Sequence, residues 1–315
     1  VNPPRPARRP RGLLAALVAL VALVVVVGVV AAALVARDDD DPGVVLWEGG
    51  FERGGVPPGA NGPDCGTGSA GGDPRLDEYV AVEEEGNTSC DLEVALVDEP
   101  TRSSDSRRAL RVTLGPGQQR AQLASEHTWS PDDRGSVEEW YGFSLYYGED
   151  WELGGGLEGE VSAEDWHNPV AFRTSEGNGS LNLSGDLDLD NADGRDFETF
   201  DEPHLVLRRN TVLNEEGFYE DGLGLDKLDL GPIVTGRWID VVCHVRWSTT
   251  ETGALRECWR DGEYRGSRTS LNAADTAPHS LRVGAYQTTT IEHPRTTYVD
   301  NVRIGTSYDA VDPDS

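Results

Sequence analysis

The 315-residue chain carries 27 basic and 56 acidic residues, a formal charge of −29. That balance excludes a basic face for nucleic acid and opposes adhesion to anionic lipid. The length suits one large β domain with a targeting segment, or two small domains.

The chain opens on Arg5, Arg8, Arg9 and Arg11 with no acid among them, and residues 13–36 then run uncharged, built of Ala, Val and Leu around a single Gly28. A run of about 20 apolar residues spans a bilayer as a helix, and its basic flank stays cytoplasmic. Residues 1–37 are therefore expected to be a basic N-terminus with a transmembrane signal anchor, or a cleaved signal peptide whose small-residue site lies at 31–33. Either way the remainder is expected outside the cytoplasm, anchored to the membrane by that helix or secreted. Residues 38–43 read as an acidic linker and 44–315 as the folded domain. Beyond Arg37 the chain holds 22 basic and 56 acidic residues, a charge of −34 spread along its length, which reads as solubility outside the cell.

Val44 to Trp47 is a short strand candidate. The stretch near 53–90 is rich in Gly and Pro and reads as a loop. Four cysteines, Cys65, Cys90, Cys243 and Cys258, suit disulfides in an exported chain. A hairpin centred near Thr250 and Glu251 places Cys243 opposite Cys258. Cys65 and Cys90 would then tie the Gly-rich loop. No short-spaced Cys or His pair suggests zinc, and no metal ligands are assigned.

From residue 108 onward, strand signals are dense. Leu110, Val112 and Leu114 share one face before Gly115, Pro116 and Gly117 break the run. Further strands are expected at 120–126, 139–147, around Leu181, Leu183, Leu187 and Leu189, around Leu205 and Leu207, and at 237–247, 254–260, 280–287 and 296–304. No amphipathic helix of normal length follows the apolar segment. Many short strands joined by Gly-rich turns indicate an all-β sandwich or jelly roll.

The C-terminal third carries a recognisable order: GRWIDVVCHVRWSTTETGALRECWRDGEY, then SLRVGAYQ, then TTYVDNVRIGTSYDAV. It resembles the heparin-lyase-I-like and glucuronan-lyase-like polysaccharide lyases, in which a W-x-D strand, a W-x-D-G hairpin, a K-x-G-x-Y strand and a D-N strand follow in that sequence. EWYGFSLYYGEDW is similar to a central strand of the same group. The likeness runs over roughly 109–310 and is strongest after Gly236. It implies a concanavalin-A-like β-jelly roll, and β-elimination at a uronic acid.

That chemistry needs a group to neutralise the sugar carboxylate, a base for the C5 proton and an acid for the leaving oxygen. The resemblance assigns these to three strands. Arg120-Ala121-Gln122 stands for R-x-E, with Gln122 in place of the acid. Asp165-Trp166-His167 stands for Q-x-H, with Asp165 in place of the amide. Arg282 to Gln287 stands for K-x-G-x-Y-x-Q. Tyr286, His167 and Arg120 are thus the implied catalytic residues. Arg282, Gln287, Gln122, Asn168 and Trp166 are the implied substrate-binding ones. The lyase reading needs Tyr286, His167 and an arginine to converge in one cleft; if Tyr286 and His167 point to opposite faces, the catalytic idea falls.

Asp188, Asp190, Asp193, Asp196 and Glu198 surround Asn191 and Gly194 in an acidic loop. An EF-hand needs Gly at the sixth position, and Gly194 is seventh counting from Asp188, so a solvated turn is preferred to calcium. No cofactor is otherwise expected. The leading expectation is an exported polysaccharide lyase acting on an anionic, uronate-containing glycan. The alternative is a non-catalytic carbohydrate-binding or cell-surface jelly roll, favoured by Asp165, by Gln122 and by the acidic envelope. It would bind through some of Trp129, Trp140, Trp151 and Trp166.

Overall fold

Leucines and valines spaced two apart send alternate side chains into one interior from two sheets. This computed structural model describes residues 43–51, 79–85, 93–102, 106–153, 166–175, 179–190, 197–209, 226–273, 275–288, 291 and 293–315. The apolar segment 13–36, the linker up to residue 42, Cys65, Cys90, Asp165 and the centre of the acidic loop lie outside the described residues.

Sheet I has the order β13 (Glu263–Arg268), β12 (Leu255–Arg260), β11 (Trp238–Trp247), β6 (Val137–Tyr147), β15 (Arg295–Gly305), β4 (Ala109–Leu114) and β3 (Glu93–Val97), and β1 (Val45–Gly49) also pairs with β15. Sheet II has the order β10 (Lys227–Pro232), β9 (Phe197–Arg209), β8 (Gly179–Asp190), β7 (His167–Thr174), β14 (His279–Gln287), β5 (Arg120–Trp129) and β2 (Tyr79–Glu85). Every pairing between these strands is antiparallel. The all-β expectation holds. Among the described residues the one helix is the single turn α1 (Tyr308–Val311), and no helix is long and apolar enough to cross a membrane.

The core lies between the sheets. Phe143, Leu145, Ile239 and Val241 enter it from sheet I, and Leu123, Val170, Phe172 and Val283 from sheet II. Each such side chain contributes roughly 1.5–3 kcal/mol on burial. Cys243 and Cys258 are register partners on β11 and β12 and form the disulfide that the hairpin implied. Gly142 on β6 admits α1 against the outer face of sheet I, because a Cβ there would collide with the Val311 carbonyl.

One irregularity positions the site. Val170 on β7 pairs with Val283, and Asn168 pairs with Tyr286, so two residues on β7 face three on β14. A register shift also separates His167 from Val170 in the pairing with β8. Pro169 sits at this step, where a residue without an N–H is tolerated. The alternation along β7 changes phase there.

Candidate active site

The alternation that sends Leu123, Val283 and Phe172 inward sends Arg120, Gln122, Arg282, Tyr286 and Arg173 to the outer face of sheet II. Cross-strand register sets them side by side. Arg120, Tyr286 and Asn168 are successive partners across β5, β14 and β7. Arg282, Ala171, Asn182, Arg208 and Lys227 form a second row across β14, β7, β8, β9 and β10.

Tyr286 is the centre of the first row. The Arg120 guanidinium carbon lies 4.0 Å from its ring centroid and that of Arg173 lies 5.5 Å away. Trp166 meets the same ring edge-on at 4.6 Å and carries Arg208 over its own ring at 5.3 Å. Gly284, the residue between Arg282 and Tyr286 on this face, has φ of +142°, and a Cβ there would run into Ala121 and Gln122 backbone. The floor beside Tyr286 is therefore bare backbone, which gives a sugar ring close approach.

Gln122 and Asn168 flank that floor. They are 1% and 0% exposed, yet among the described residues neither side-chain amide has a hydrogen-bond partner. Leaving a buried polar group unpaired costs on the order of 1–3 kcal/mol. Such groups are rare in folded proteins and call for an explanation. Here both bring amide donors and acceptors to the place where Arg120 brings positive charge.

This face gathers cations although the chain is acidic, and it sets them among acids: Glu83 and Glu85 of β2 are the register partners of Gln122 and Arg120. Arg120, Arg282, Arg173, Arg208 and Lys227 stand on it, and burial lowers the Arg282 pKa to about 10, which leaves it charged at neutral pH. The Asp186 carboxylate stands at the β8–β10 end, 3.5 Å from the Lys227 ammonium and 3.8 Å from Arg208. Two of these cations, Arg120 and Arg173, stand against the Tyr286 ring.

Two implied site residues are not on this face, so the convergence of Tyr286 with His167 that the sequence reading required is not met. Because of the phase change at Pro169, Asn168 takes the outward place opposite Tyr286 and His167 turns into the core. His167 is fully buried, with its Nε2 3.1 Å from Thr297 Oγ1 on β15 of the opposite sheet. Tyr147 and Trp151 pack around it at 6.1 and 5.6 Å. Desolvation, and then Arg295, lower its pKa to about 3, so the ring is neutral. Gln287, the register partner of His167, also turns inward, and its Nε2 donates to the Gln118 carbonyl at 3.4 Å. Of the four tryptophans considered for sugar binding, Trp129 and Trp151 belong to the core and Trp140 to the outer face of sheet I. Trp166 alone of these four adjoins Tyr286.

Arg173 and Arg208 were not read from the sequence. The signal for Arg173 was its period-two spacing from Ala171, hidden because Pro169 discourages reading β7 as a strand. An open groove of about 750 Å³ lies on the outer face of sheet I, lined among others by Tyr146, Tyr298, Glu149 and Asp150. Its lining residues include no cation. Among the described residues no group of three or more His, Cys, Asp or Glu is gathered to hold a metal, and the acidic loop's side chains lie outside them.

A family profile described as polysaccharide lyase matches residues 74–303. No curated protein matches the sequence. An endo-β-1,4-glucuronan lyase from the fungus Trichoderma reesei superposes with a TM-score of 0.54 at 18% identity, over 76% of this chain and 96% of that one. That likeness establishes a shared jelly-roll-like fold. The alginate lyase Aly36B gives 0.46 at 12% identity, over 81% and 97% of the two chains. The marine alginate lyase AlyA1 from Zobellia galactanivorans gives 0.41 at 10%, over 73% and 84%. Both scores are too low to bear on the site.

Proposed function

Because the chain belongs to the polysaccharide lyase family, matched over residues 74–303, we propose that the outer face of sheet II cleaves a uronate-containing anionic polysaccharide by β-elimination at Tyr286. Family membership makes the protein a lyase acting on a polysaccharide; the uronate and the residues are our reading. The observation that carries it is the pair of buried amides, Gln122 and Asn168, that have no partner among the described residues and are set beside Tyr286 and Arg120.

A proton on C5 of a uronate is weakly acidic while the neighbouring carboxylate keeps its charge. Arg120 supplies the opposing charge, and the Gln122 and Asn168 amides donate to the carboxylate oxygens as charge shifts onto them. Gln122, which in the sequence weakens the case for catalysis, supports it here. A carboxylate at that position would repel the substrate, and an amide does not. Tyr286 exchanges protons with the sugar. Trp166 gives one wall for a ring to stack on, and Arg282 and Arg208 extend the positive charge across the sheet.

Within the same reading the chain falls in the glucuronan-lyase-like and heparin-lyase-I-like group and works outside the cytoplasm. The Cys243–Cys258 disulfide and the apolar run at 13–36 support that location. The domain then begins at residue 44 after a short acidic linker, and the 13–36 segment anchors it to the membrane or is removed. The test is the ultraviolet absorbance of unsaturated uronate, followed on glucuronan, alginate and glycosaminoglycans with neutral glucans as controls. Absorbance should grow on at least one uronate polymer and on no neutral one. A folded protein that leaves every uronate polymer intact rules the reading out.

A further inference from the structure

We infer that the groove on the outer face of sheet I is a second carbohydrate-binding site, separate from Tyr286, and that it takes a glycan bearing free amino groups, such as an oligomer of glucosamine in its ammonium form. The inference stands on sheet I alone and does not depend on which polymer sheet II cleaves.

The strand period builds the floor of the groove. Leu145 and Tyr147 on β6, Thr297 and Val299 on β15 and Ile239 on β11 are buried in the core. Tyr146, Tyr298 and Trp238, one position away, therefore point outward. Register sets these three in one row, because Trp238 pairs with Tyr146 and Tyr146 with Tyr298. The Tyr146 ring meets Tyr298 edge-on at 5.3 Å and Trp238 at 5.5 Å. Adjacent strands lie about 4.8 Å apart, so the row spreads aromatic surface over about 10 Å, enough for two sugar rings. Beyond β6 the chain turns at once. The Gly148 amide donates to the Thr296 carbonyl at 3.1 Å, and the Trp151 amide donates to the Gly148 carbonyl at 3.0 Å. That turn holds Glu149 and Asp150, both exposed, against the groove. Glu99, also exposed, lines it with Thr101 and Thr296. Cross-strand packing of aromatics stabilises a sheet, which accounts for the row but not for the open hollow of about 750 Å³ beside it.

Charge selects the occupant. Among the described residues Glu99, Glu149 and Asp150 have no ion-pair partner. The arginines at the margin are engaged, Arg102 by Asp240 and Asp314 and Arg237 by Asp261 at 3.6 Å. Arg111 follows Tyr298 in the row and sets one positive charge against three negative ones. An anionic uronate is repelled from such a groove. The acids are too dispersed for a metal ion, since among the described residues no three His, Cys, Asp or Glu gather to hold one. An ammonium on a larger molecule is drawn both by the carboxylates and by tyrosine faces. The apolar face of an amino-sugar ring stacks on the same tyrosines, and threonine hydroxyls suit its ring hydroxyls. A basic peptide shares the charge but lacks the stacking ring, and membership in a polysaccharide lyase family puts glycans within the protein's reach. The outer faces of the two sheets point away from each other, so a ligand held here leaves Tyr286 open.

Calorimetric titration in mildly acidic buffer tests this with oligomers of equal length built from glucosamine, N-acetylglucosamine or lysine. N-acetylation removes the charge and keeps the ring; lysine keeps the charge and removes the ring. The glucosamine oligomer should bind at least about tenfold more tightly than either of the others, the size that a few exposed charge pairs or one stacked ring supply. The double variant Glu149→Gln, Asp150→Asn is isosteric at an exposed turn and should keep the parent's melting temperature. It should lose most of the preference for glucosamine over N-acetylglucosamine. Tyr298→Ala, checked for folding by circular dichroism, should weaken the glucosamine oligomer several-fold. Equal affinity for the charged and N-acetylated sugars overturns the inference, as does a lysine oligomer that binds as tightly, or no binding by folded protein. A preference that survives intact in the double variant places the site elsewhere and overturns it too. Each of these results leaves the lyase reading of sheet II standing.

Discussion

The outer faces of the two sheets are built from the same kinds of side chain and differ in how two buried amides are held. On sheet I, away from the groove, charged groups are matched. Arg102 makes a two-pronged contact with Asp240, with Nε–oxygen distances of 2.8 and 2.9 Å, and reaches Asp314 at 2.6 Å. Ser144 donates to Asp240 at 2.6 Å. His244 is held between Glu138 at 2.7 Å and Glu257 at 2.8 Å while stacked on Trp140. On sheet II, charges are matched too, as Asp186 by Lys227 and Arg208, but among the described residues two buried amides lack partners beside the Tyr286 ring. A polar group satisfied by its neighbours stabilises the fold. One buried and left open is a cost that a bound substrate can offset. The contrast supports the proposal that sheet II carries the function, without reference to the shape of either surface.

The sharpest way to break the comparison is at its centre. Tyr286→Phe removes one oxygen from sheet II; kcat on the best polymer should fall about 1,000-fold, within the usual range for losing a proton-transfer group, while the melting temperature stays within a degree or two. A variant that keeps a tenth of wild-type kcat would assign the proton transfers elsewhere. The reverse experiment strikes structure alone. Arg256 on β12 is fully buried and pairs with Asp226, ahead of β10, at 2.6 Å. Arg256→Leu leaves that carboxylate with only the half-exposed Arg268, 3.3 Å away, and should cost about 3 kcal/mol in urea unfolding. The folded fraction should keep its kcat.

Much of this contrast was open to reading from the chain. Leu110, Val112 and Leu114, or Leu205 and Leu207, announce strands because one face is apolar and the other is not. The Cys243–Cys258 pairing follows from a hairpin symmetric about Thr250. Strand β13 was silent, since EYRGSR lies at a sheet edge with little burial and no alternation to detect. Tyr286, Arg120, Gln122 and Trp166 came from motif order, and the structure gathers them. His167 and Gln287 came from the same motifs and were misplaced. Counting by twos from Phe172 and Val170 puts His167 outside and Asn168 inside. The register shift at Pro169 exchanges them, and a register shift depends on the partner strand, which lies more than 100 residues away in sequence. Side-chain satisfaction was equally hidden, because nothing in the residue name distinguishes Ser144, which has a partner, from Gln122, which has none.

That hidden difference predicts effects of opposite sign. Gln122→Met is close to isosteric and removes an unsatisfied buried amide, so unfolding free energy should rise by about 2 kcal/mol. Over the same substitution kcat/KM should fall by about 10- to 100-fold, because a donor to the sugar carboxylate is lost. Ser144→Ala on sheet I deletes a satisfied hydroxyl and should lower stability by about 1 kcal/mol without changing the rate. If Gln122→Met is instead destabilising, the amide is held by the fold and the contrast between the faces fails at that residue.

The smallest effect tests the place assigned to His167, and its sign is fixed by the environment. Burial holds the native ring neutral down to about pH 3, whereas the ordinary value for the unfolded chain is 6.5. Between those limits the unfolded state binds a proton that the native state refuses, so stability falls as pH falls through 6.5 and this contribution ends near 3. One pH unit below 6.5 the loss is about 1.4 kcal/mol. The carboxylate of Asp226, whose pKa is lowered by Arg256 and Ser270 despite burial, adds its own acid sensitivity, so the histidine must be isolated by difference. His167→Asn should be less stable than the parent at pH 8, with the gap narrowing as the pH is taken from 6.5 towards 4. A constant gap would place a chargeable histidine in contact with solvent, and so return it to the face where Tyr286 works. A narrowing gap, with no matching limb in the dependence of kcat on pH, keeps the acid sensitivity in the core and the chemistry on the outer face of sheet II.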